Sequence, residues 1–269
     1  MILKSKSILS NPGIGSLRVD FSDKDTTQDS GLVDTLGQNA RKVQIAQKKK
    51  YEPPVWFLSD NLAESAKWLT NKHLDKSIKN SIQLLVCCKL WYAGIRSART
   101  FRHYFPTLSK DDDDYESKKE TVLENMETYF PGLYDECKQF KIKSALMRHS
   151  TMKWVKMCRE HCAMLCDYLA IMLEEWRERF RGKNHKIEGA GFWFIEWFEM
   201  SDCFPVANLK PEDNVPDWKQ IPPKFRNVDI YAGFRSYYSS KIENPVEEYE
   251  NSNREIPDFV LGASKALYQ

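Results

Sequence analysis

The chain has 269 residues, of which 42% are hydrophobic and 13% aromatic, so it can build one sizeable domain or a smaller one with extensions. Its formal net charge is only +2, so overall charge points to no particular partner. The sequence shows neither an apolar run long enough to span a bilayer nor a secretory signal pattern. We therefore expect an intracellular, cytoplasmic protein that is neither secreted nor inserted in a membrane.

Seven cysteines are present, and five of them fall inside apolar patterns of helical spacing: Cys87, Cys88, Cys158, Cys162 and Cys166. An odd number in this setting favours reduced thiols packed in a core over a disulfide framework. The alternative is a metal site formed by the last three with His161. Those thiols follow one helix stripe, however, whereas zinc sites draw their ligands from two separated segments. We expect core packing, with no metal and no other cofactor.

The first 54 residues are polar and end in a lysine run at 48–50 followed by two prolines. This composition predicts an N-terminal extension, residues 1–54, with little core of its own. Residues 55–269 are expected to form the main domain. We interpret the lysine run as a solvated linker, with phosphate contact as the alternative. A protein partner, if there is one, would dock on this extension or on the aromatic residues 192–198.

The main domain opens with the apolar run Val55–Leu58, which predicts a buried strand or extended segment. Ser59 or Asp60 is then expected to cap a helix that continues to about Leu69. A second helix is predicted over residues 73–92, because leucine and isoleucine recur there at helical spacing.

The longest predicted helix begins near residues 150–151 and runs to about Arg181, where Gly182 supplies the stop. Apolar side chains recur along it every three or four residues. We expect an all-α fold, with one or two short extended segments, organised as a compact helical domain around this central helix. It should pack against the helix at 73–92, and a further helix is predicted at about 229–241.

Two acidic insertions interrupt the domain. Residues 106–136 hold ten acids and three bases, and residues 192–217 hold six acids and one base. The four aspartates at 111–114 lack a glycine turn and regular ligand spacing, so they predict a solvated acidic loop rather than a cation site. The aromatic residues 192–198 fit either a strand or a short buried helix. The tail near 256–260 is expected to pack back as an irregular cover.

Three other segments are strongly basic, and each belongs to a predicted helix. Residues 67–105 hold eight bases and one acid, residues 141–186 hold eleven and five, and residues 218–242 hold five and one. If they converge, they form one basic face or cleft, which is the usual footprint of nucleic-acid binding. The alternative is a set of solvated helix faces balanced by the acidic insertions.

One side of the second predicted helix carries polar residues at spacings of three, four and three: His73, Lys76, Asn80 and Gln83. Lys72 and Lys79 flank this polar stripe. Amides hydrogen-bond base edges and lysines neutralise phosphates, so the stripe is a candidate nucleic-acid surface. The alternative is an ordinary solvated helix face.

Residues 71–76 read Asn-Lys-His-Leu-Asp-Lys, and residues 148–150 read Arg-His-Ser with Trp154 soon after. Residues 221–226 read Ile-Pro-Pro-Lys-Phe-Arg and precede Tyr231 and a Tyr-Tyr pair. In their order and helix context these blocks resemble the phage pyrimidine-dimer DNA glycosylases of the endonuclease V type and related small phage proteins. The resemblance spans about half of the chain, and its three blocks are also the basic ones.

The resemblance implies a DNA-repair glycosylase of viral or phage-like origin, acting in the host cytoplasm. Such a protein binds duplex DNA around a damaged or modified base with local base flipping. In that family the α-amino group attacks the sugar, and a glutamate seven residues after a histidine assists. Here His73 matches the histidine and Lys79 a helix arginine, but Asn80 stands where the glutamate should be. Gln83 replaces another arginine, and residues 1–54 precede the position expected for the amine.

The resemblance therefore implies a DNA-binding relative in which the glycosylase/lyase reaction is lost or has passed to another nucleophile. The candidates for such a nucleophile or its assistant are Lys72, Lys76 and His73. The residues assigned to nucleic-acid binding are His73, Lys76, Lys79, Asn80, Gln83, Arg148, His149, Lys224 and Arg226.

Two other classes of function stay open. One is an enzyme that acts on free nucleotides or modified bases in the same basic pocket. The other is a structural or interaction protein, which a large exposed apolar patch around Trp193 and Trp197 would favour. The sequence contains no P-loop, dinucleotide-binding glycine motif, nucleophile elbow or zinc-protease motif, which argues against those enzyme classes.

Overall fold

The computed structural model describes residues 53–133, 142, 146–209, 214–216, 219, 221–226, 229–250, 252 and 254–267. Nearly all of the predicted N-terminal extension, residues 1–54, lies outside these described residues. Within them every regular element is a helix and no strand occurs, so the predicted all-α class is confirmed. None of the described helices has the length and apolar composition needed to cross a membrane.

Ten α-helices lie in the described part of the chain. They are α1 (Leu62–Lys67), α2 (Asn71–Tyr92), α3 (Ala98–Tyr104), α4 (Tyr115–Tyr129), α5 (Ser150–Val155), α6 (Arg159–Arg179), α7 (Glu188–Glu199), α8 (Ile230–Ser239), α9 (Pro245–Glu250) and α10 (Asp258–Leu267), with one 3₁₀ helix at Pro223–Phe225.

The run Val55–Leu58 is a buried extended segment that leads to α1. The cap of α1 is Asn61, not the predicted Ser59 or Asp60. The Asn61 side-chain oxygen accepts the backbone N–H groups of Ala63 and Glu64, which have no partner inside the helix. The Ser59 hydroxyl instead donates to the Glu64 carboxylate at 2.6 Å.

Helix α2 is the second predicted helix, and it begins two residues earlier than expected because Thr70 caps it. Leu74, Ile78 and Ile82 on its apolar face are fully buried. They pack against α6 and α7, so the predicted contact between the two main helices is confirmed. Gly191 lets α7 lie close against α6, since a Cβ built at this position would lie 3.0 Å from Cδ1 of Leu173 in α6.

The long helix predicted from residues 150–151 to Arg181 is two helices, α5 and α6, separated by residues 156–158. Cys158 is extended, with φ near −154°. The backbone N–H of Arg159 donates to the Pro205 carbonyl at 2.8 Å, and its guanidinium donates to the Ser201 carbonyl at 2.5 Å. The first N–H group of α6 thus finds its partner in the segment after α7, and the apolar periodicity does not record this contact.

The five cysteines in helical patterns are buried, as predicted: Cys87, Cys88, Cys158, Cys162 and Cys166. Burial raises the pKa of the Cys87 thiol to about 12, which keeps it protonated and unreactive. Among the described residues, no three side chains of metal-binding type come together.

Helix α4 occupies the centre of the insertion 106–136, and three of the four aspartates that precede it are exposed, as predicted for a solvated acidic loop. Lys118 of α4 binds the carboxylates of Asp112 and Asp114 at 2.8 and 2.7 Å, so part of the aspartate run stabilises the start of the helix. Residues 192–198 belong to α7, which decides the open choice between strand and helix. The tail near 256–260 enters α10 instead of forming an irregular cover, and Val260 is buried there.

A buried ionic network joins the C-terminal end of α1 to α6. The side chain of Arg179 is fully buried and ion-paired with Glu175 at 2.6 Å. Its guanidinium also donates to the carbonyls of Ala66, Lys67 and Leu69 at 2.6 to 3.0 Å. Arg254 binds the same carboxylate of Glu175 at 2.7 Å. The last carbonyls of α1 are thus satisfied by a residue that is distant in sequence.

Candidate nucleic-acid interface

The polar stripe predicted on α2 does not form a solvated face. His73 is buried, with its ring 5.0 Å from the Tyr238 ring and 6.0 Å from the Trp56 ring. Its Nδ1 lies 2.8 Å from the hydroxyl of Thr70, the residue that caps the helix. The sequence pattern predicted that this imidazole faces a ligand. In the structure, Trp56 of the extended segment before α1 packs against it instead.

The remaining stripe residues are buried or half-buried, and one of them contacts the same extended segment. The Asn80 amide donates to the Pro54 carbonyl at 2.9 Å, and Gln83 is only 8% exposed. Lys76 is half-buried. The segment that begins the main domain therefore lies over Asn80, the position that would hold a glutamate in the family that the chain resembles.

The flanking lysines of α2 differ in environment. Lys72 is exposed, and Lys79 is ion-paired with Asp75. The same carboxylate accepts the buried imidazole of His185 at 3.0 Å. Burial acts to raise the pKa of Asp75, but the hydrogen bonds from Lys79 and His185 outweigh it and lower the pKa below its usual value. The Asp75 carboxylate thus links α2 to the segment after α6, and both Lys79 and His185 are its partners within the protein.

The predicted residues of the second block lie at the start of α5. His149 caps the helix, and its Nδ1 accepts the backbone N–H of Thr151 at 3.1 Å. Its role in the structure is therefore helix capping. Arg148 beside it is exposed.

The third block packs on α8. Lys224 and Arg226 are exposed, and Phe225 between them stacks 4.9 Å from Tyr237. Tyr237 in turn lies 5.4 Å from Trp56, which contacts His73. The first and third blocks are thus joined through one aromatic cluster.

A different set of cations converges at the C-terminal end of α2. The Nζ of Lys156 lies 3.0 Å from the ring centroid of Trp91, and the guanidinium of Arg96 lies 5.9 Å from it. Burial, together with the positive charges of Lys153 and Arg96, lowers the pKa of Lys156. We call this set, Trp91 with Arg96, Lys153 and Lys156, the Trp91 cluster.

Local backbone structure builds the Trp91 cluster. Helix α2 ends at Tyr92, and Gly94 then adopts φ near +94°, which turns the chain so that Arg96 returns over Trp91. Lys156 is the C-terminal cap of α5, next to the helix break. The Tyr92 hydroxyl donates to the Lys156 carbonyl at 2.6 Å and fixes the two helix ends together.

The cations of the Trp91 cluster have no salt bridge with a carboxylate among the described residues, in contrast to Lys79 and Lys118. Arg96 and Lys153 are exposed, and exposed Arg99 and Arg102 follow on α3. Three neighbouring cations without a counter-charge repel one another, and an anion placed between them relieves that repulsion.

No residue of the Trp91 cluster was among the predicted nucleic-acid contacts, although Arg96, Lys153 and Lys156 belong to two of the basic segments of the sequence. The charge pattern favoured convergence of those segments without indicating where they meet. Only Gly94, a turn residue directly after a predicted helix, signals that the chain folds back here.

The aromatic segment 192–198 offers no large exposed apolar patch. Trp193 and Trp197 are half-buried against the core, and the Trp193 ring N–H donates to the Pro131 carbonyl at 3.1 Å. Phe192 is exposed at one end.

In comparisons with known proteins, no family model, no curated protein and no solved structure matches this chain.

Proposed function

We propose that this protein binds duplex DNA through the Trp91 cluster. The observation that carries the proposal is the meeting of three cations from two separate segments, the turn after α2 and the C-terminal end of α5, and none of them has a carboxylate partner in the described part of the chain. A duplex presents one phosphate charge per ~1.7 Å of helix axis, so several phosphates can neutralise such a group at once. Exposed Arg99 and Arg102 on α3 extend the same basic surface.

A duplex fits this surface better than a single strand does. Single-strand binding relies on bases that stack on free aromatic faces. In the Trp91 cluster, the Lys156 ammonium occupies a face of the indole at 3.0 Å. The cluster therefore offers charge rather than a free stacking platform, which favours contacts with the phosphate backbone.

The family resemblance enters the proposal only as support for DNA as the ligand. We propose that the glycosylase reaction itself is lost or strongly weakened, because Asn80 carries no charge and its amide is engaged by the Pro54 carbonyl. Loss of one stabilising group in a transition state typically costs on the order of 10² to 10³ in rate. Lys72 is a poor replacement nucleophile, since an imine-forming lysine is usually desolvated and Lys72 is exposed.

Salt dependence and charge removal test the binding proposal. If three phosphate contacts form, log affinity falls with log salt with a slope near −2.7, so affinity drops about 40-fold between 50 and 200 mM salt. Fluorescence anisotropy with a labelled duplex measures this. Lys153→Gln should weaken binding and reduce the slope by about 0.9. Lys118→Gln, a charge-matched control in an acidic setting, should change neither.

Equal losses in both variants, or binding that does not respond to salt, would contradict the assignment to the Trp91 cluster. Catalysis is tested separately by borohydride trapping on DNA that contains pyrimidine dimers or abasic sites. We expect no covalent adduct, because the residues of the family mechanism are not in place. Efficient trapping would overturn the proposed loss of activity and leave the binding surface to be judged by the anisotropy data.

A further inference from the structure

A cavity of about 340 Å³ opens between the C-terminal ends of α2, α4 and α7. Its size is at the lower end of the range typical of small-molecule pockets. None of its lining residues belongs to the Trp91 cluster: Lys89, Tyr92, Ala93, Thr128, Tyr129, Trp197, Ser201, Asp202 and Cys203.

Lys89 is the basic residue of this cavity, and its side chain is half-buried. Its Nζ lies 5.0 Å from the ring centroid of Trp197 and 5.5 Å from that of Trp193. The rings attract the positive charge but supply no carbonyl or carboxylate acceptor. No hydrogen bond or salt bridge joins this ammonium to another described residue, although burying a charge without such partners is costly.

The other walls of the cavity restrict what could bind. Tyr92, Tyr129 and Trp197 make much of the lining aromatic, which suits a ligand with a planar ring. Asp202 at the same cavity is exposed and negatively charged, which penalises a ligand that carries two negative charges. A single carboxylate satisfies Lys89 with the least repulsion from Asp202.

We propose that this cavity binds a planar aromatic monocarboxylate. The carboxylate accepts the N–H groups of Lys89 in a charge-assisted hydrogen bond, and the ring packs against the aromatic walls. The hydroxyl groups of Thr128 and Ser201 are available in the same lining. This site is separate from the proposed DNA surface, so either assignment can fail without the other.

Isothermal titration calorimetry with 2-naphthoate tests the proposal directly. The neutral isostere 2-naphthamide should bind at least about 10-fold more weakly, because it lacks the charge that pairs with Lys89. The dianion 2-naphthyl phosphate should also bind more weakly, because of Asp202. Absence of naphthoate binding at millimolar concentration, or equal binding of naphthoate and naphthamide, would overturn the proposal. Tighter binding of the phosphate would overturn the restriction to a monocarboxylate.

A variant locates the site. Lys89→Met should weaken 2-naphthoate binding at least about 10-fold, and Lys89→Arg should retain most of it. Lys241→Met is the matched control, because the Lys241 Nζ also lies 5.0 Å from an aromatic ring, that of Tyr237, but outside the cavity. Unchanged naphthoate binding by Lys89→Met would place the ligand elsewhere and refute the assignment. The comparison of naphthoate with naphthamide on the unaltered protein holds even if a variant folds poorly.

Discussion

Replacement of Arg179 by methionine removes the centre of the ionic network between α1 and α6. Methionine keeps much of the volume of the arginine stem but has no donor. The carbonyls of Ala66, Lys67 and Leu69 then lose their buried guanidinium. Glu175, whose side chain is only 4% exposed, is left with Arg254 as its one ionic partner among the described residues.

The expected cost follows from this geometry. Removing one partner of a buried ion pair typically destabilises a protein by about 3 to 5 kcal/mol, because the other charge stays buried. Arg254 continues to bind Glu175, so we expect a loss in free energy of unfolding near ~3 kcal/mol. For a folded unit of this size, 1 kcal/mol corresponds to roughly 2 to 4 °C in Tm, so Tm should fall by about 6 to 12 °C.

Urea denaturation followed by tryptophan fluorescence measures this change. Arg102→Met is the control, because Arg102 is exposed and its Nε donates only to the Ala98 carbonyl of its own helix. That variant should cost less than about 0.5 kcal/mol. A loss below ~1 kcal/mol in Arg179→Met would refute the view that the distant guanidinium is what satisfies the end of α1.

Two further predictions concern pH and packing. The free energy of unfolding should fall as the pH is lowered from 7.5 to 5.5, because burial lowers the pKa of both His161 and His185. Below about pH 6.5 the unfolded chain takes up protons that the folded imidazoles resist, so a His161→Gln/His185→Gln variant should show a flatter profile in denaturation at each pH. Gly191→Val should destabilise the protein by ~1 to 3 kcal/mol in urea melts, because its Cβ starts 3.0 Å from Leu173 and its methyl groups reach further. A neutral Gly191→Val would mean that α7 shifts freely away from α6.

The helices could be predicted where burial and helical spacing coincide, as along α2. The break between α5 and α6 could not, because apolar spacing continues across it. There Arg159, the first residue of α6, takes its partners from Ser201 and Pro205, some 40 residues away. Periodicity reports which side of a helix is buried and carries no information about such long-range hydrogen bonds.

The candidate site shows the same limit. His73 is polar and sits among lysines in sequence, which predicted a surface stripe. Its burial depends on Trp56 and Tyr238, and no local signal connects these rings to it. The sequence shows which segments are basic. Tertiary contacts decide which of their cations have a carboxylate partner in the fold. Lys79 and Lys156 both belong to basic segments of the sequence. In the fold Lys79 is ion-paired with Asp75, whereas Lys156 lies over the Trp91 ring.

The cap that Arg179 places on α1 also has a consequence for synthesis of the chain on the ribosome. Leu69 and Arg179 are 110 residues apart, so at 5 to 20 residues per second the donor is made roughly 6 to 22 seconds after its acceptor. During that interval the carbonyls of Lys67 and Leu69 lack the buried guanidinium that they bind in the fold, and a helix of six residues is marginal in water. The nascent N-terminal part of the domain is therefore expected to stay open until α6 has been translated, which makes this part of the chain a natural substrate for chaperones and proteases.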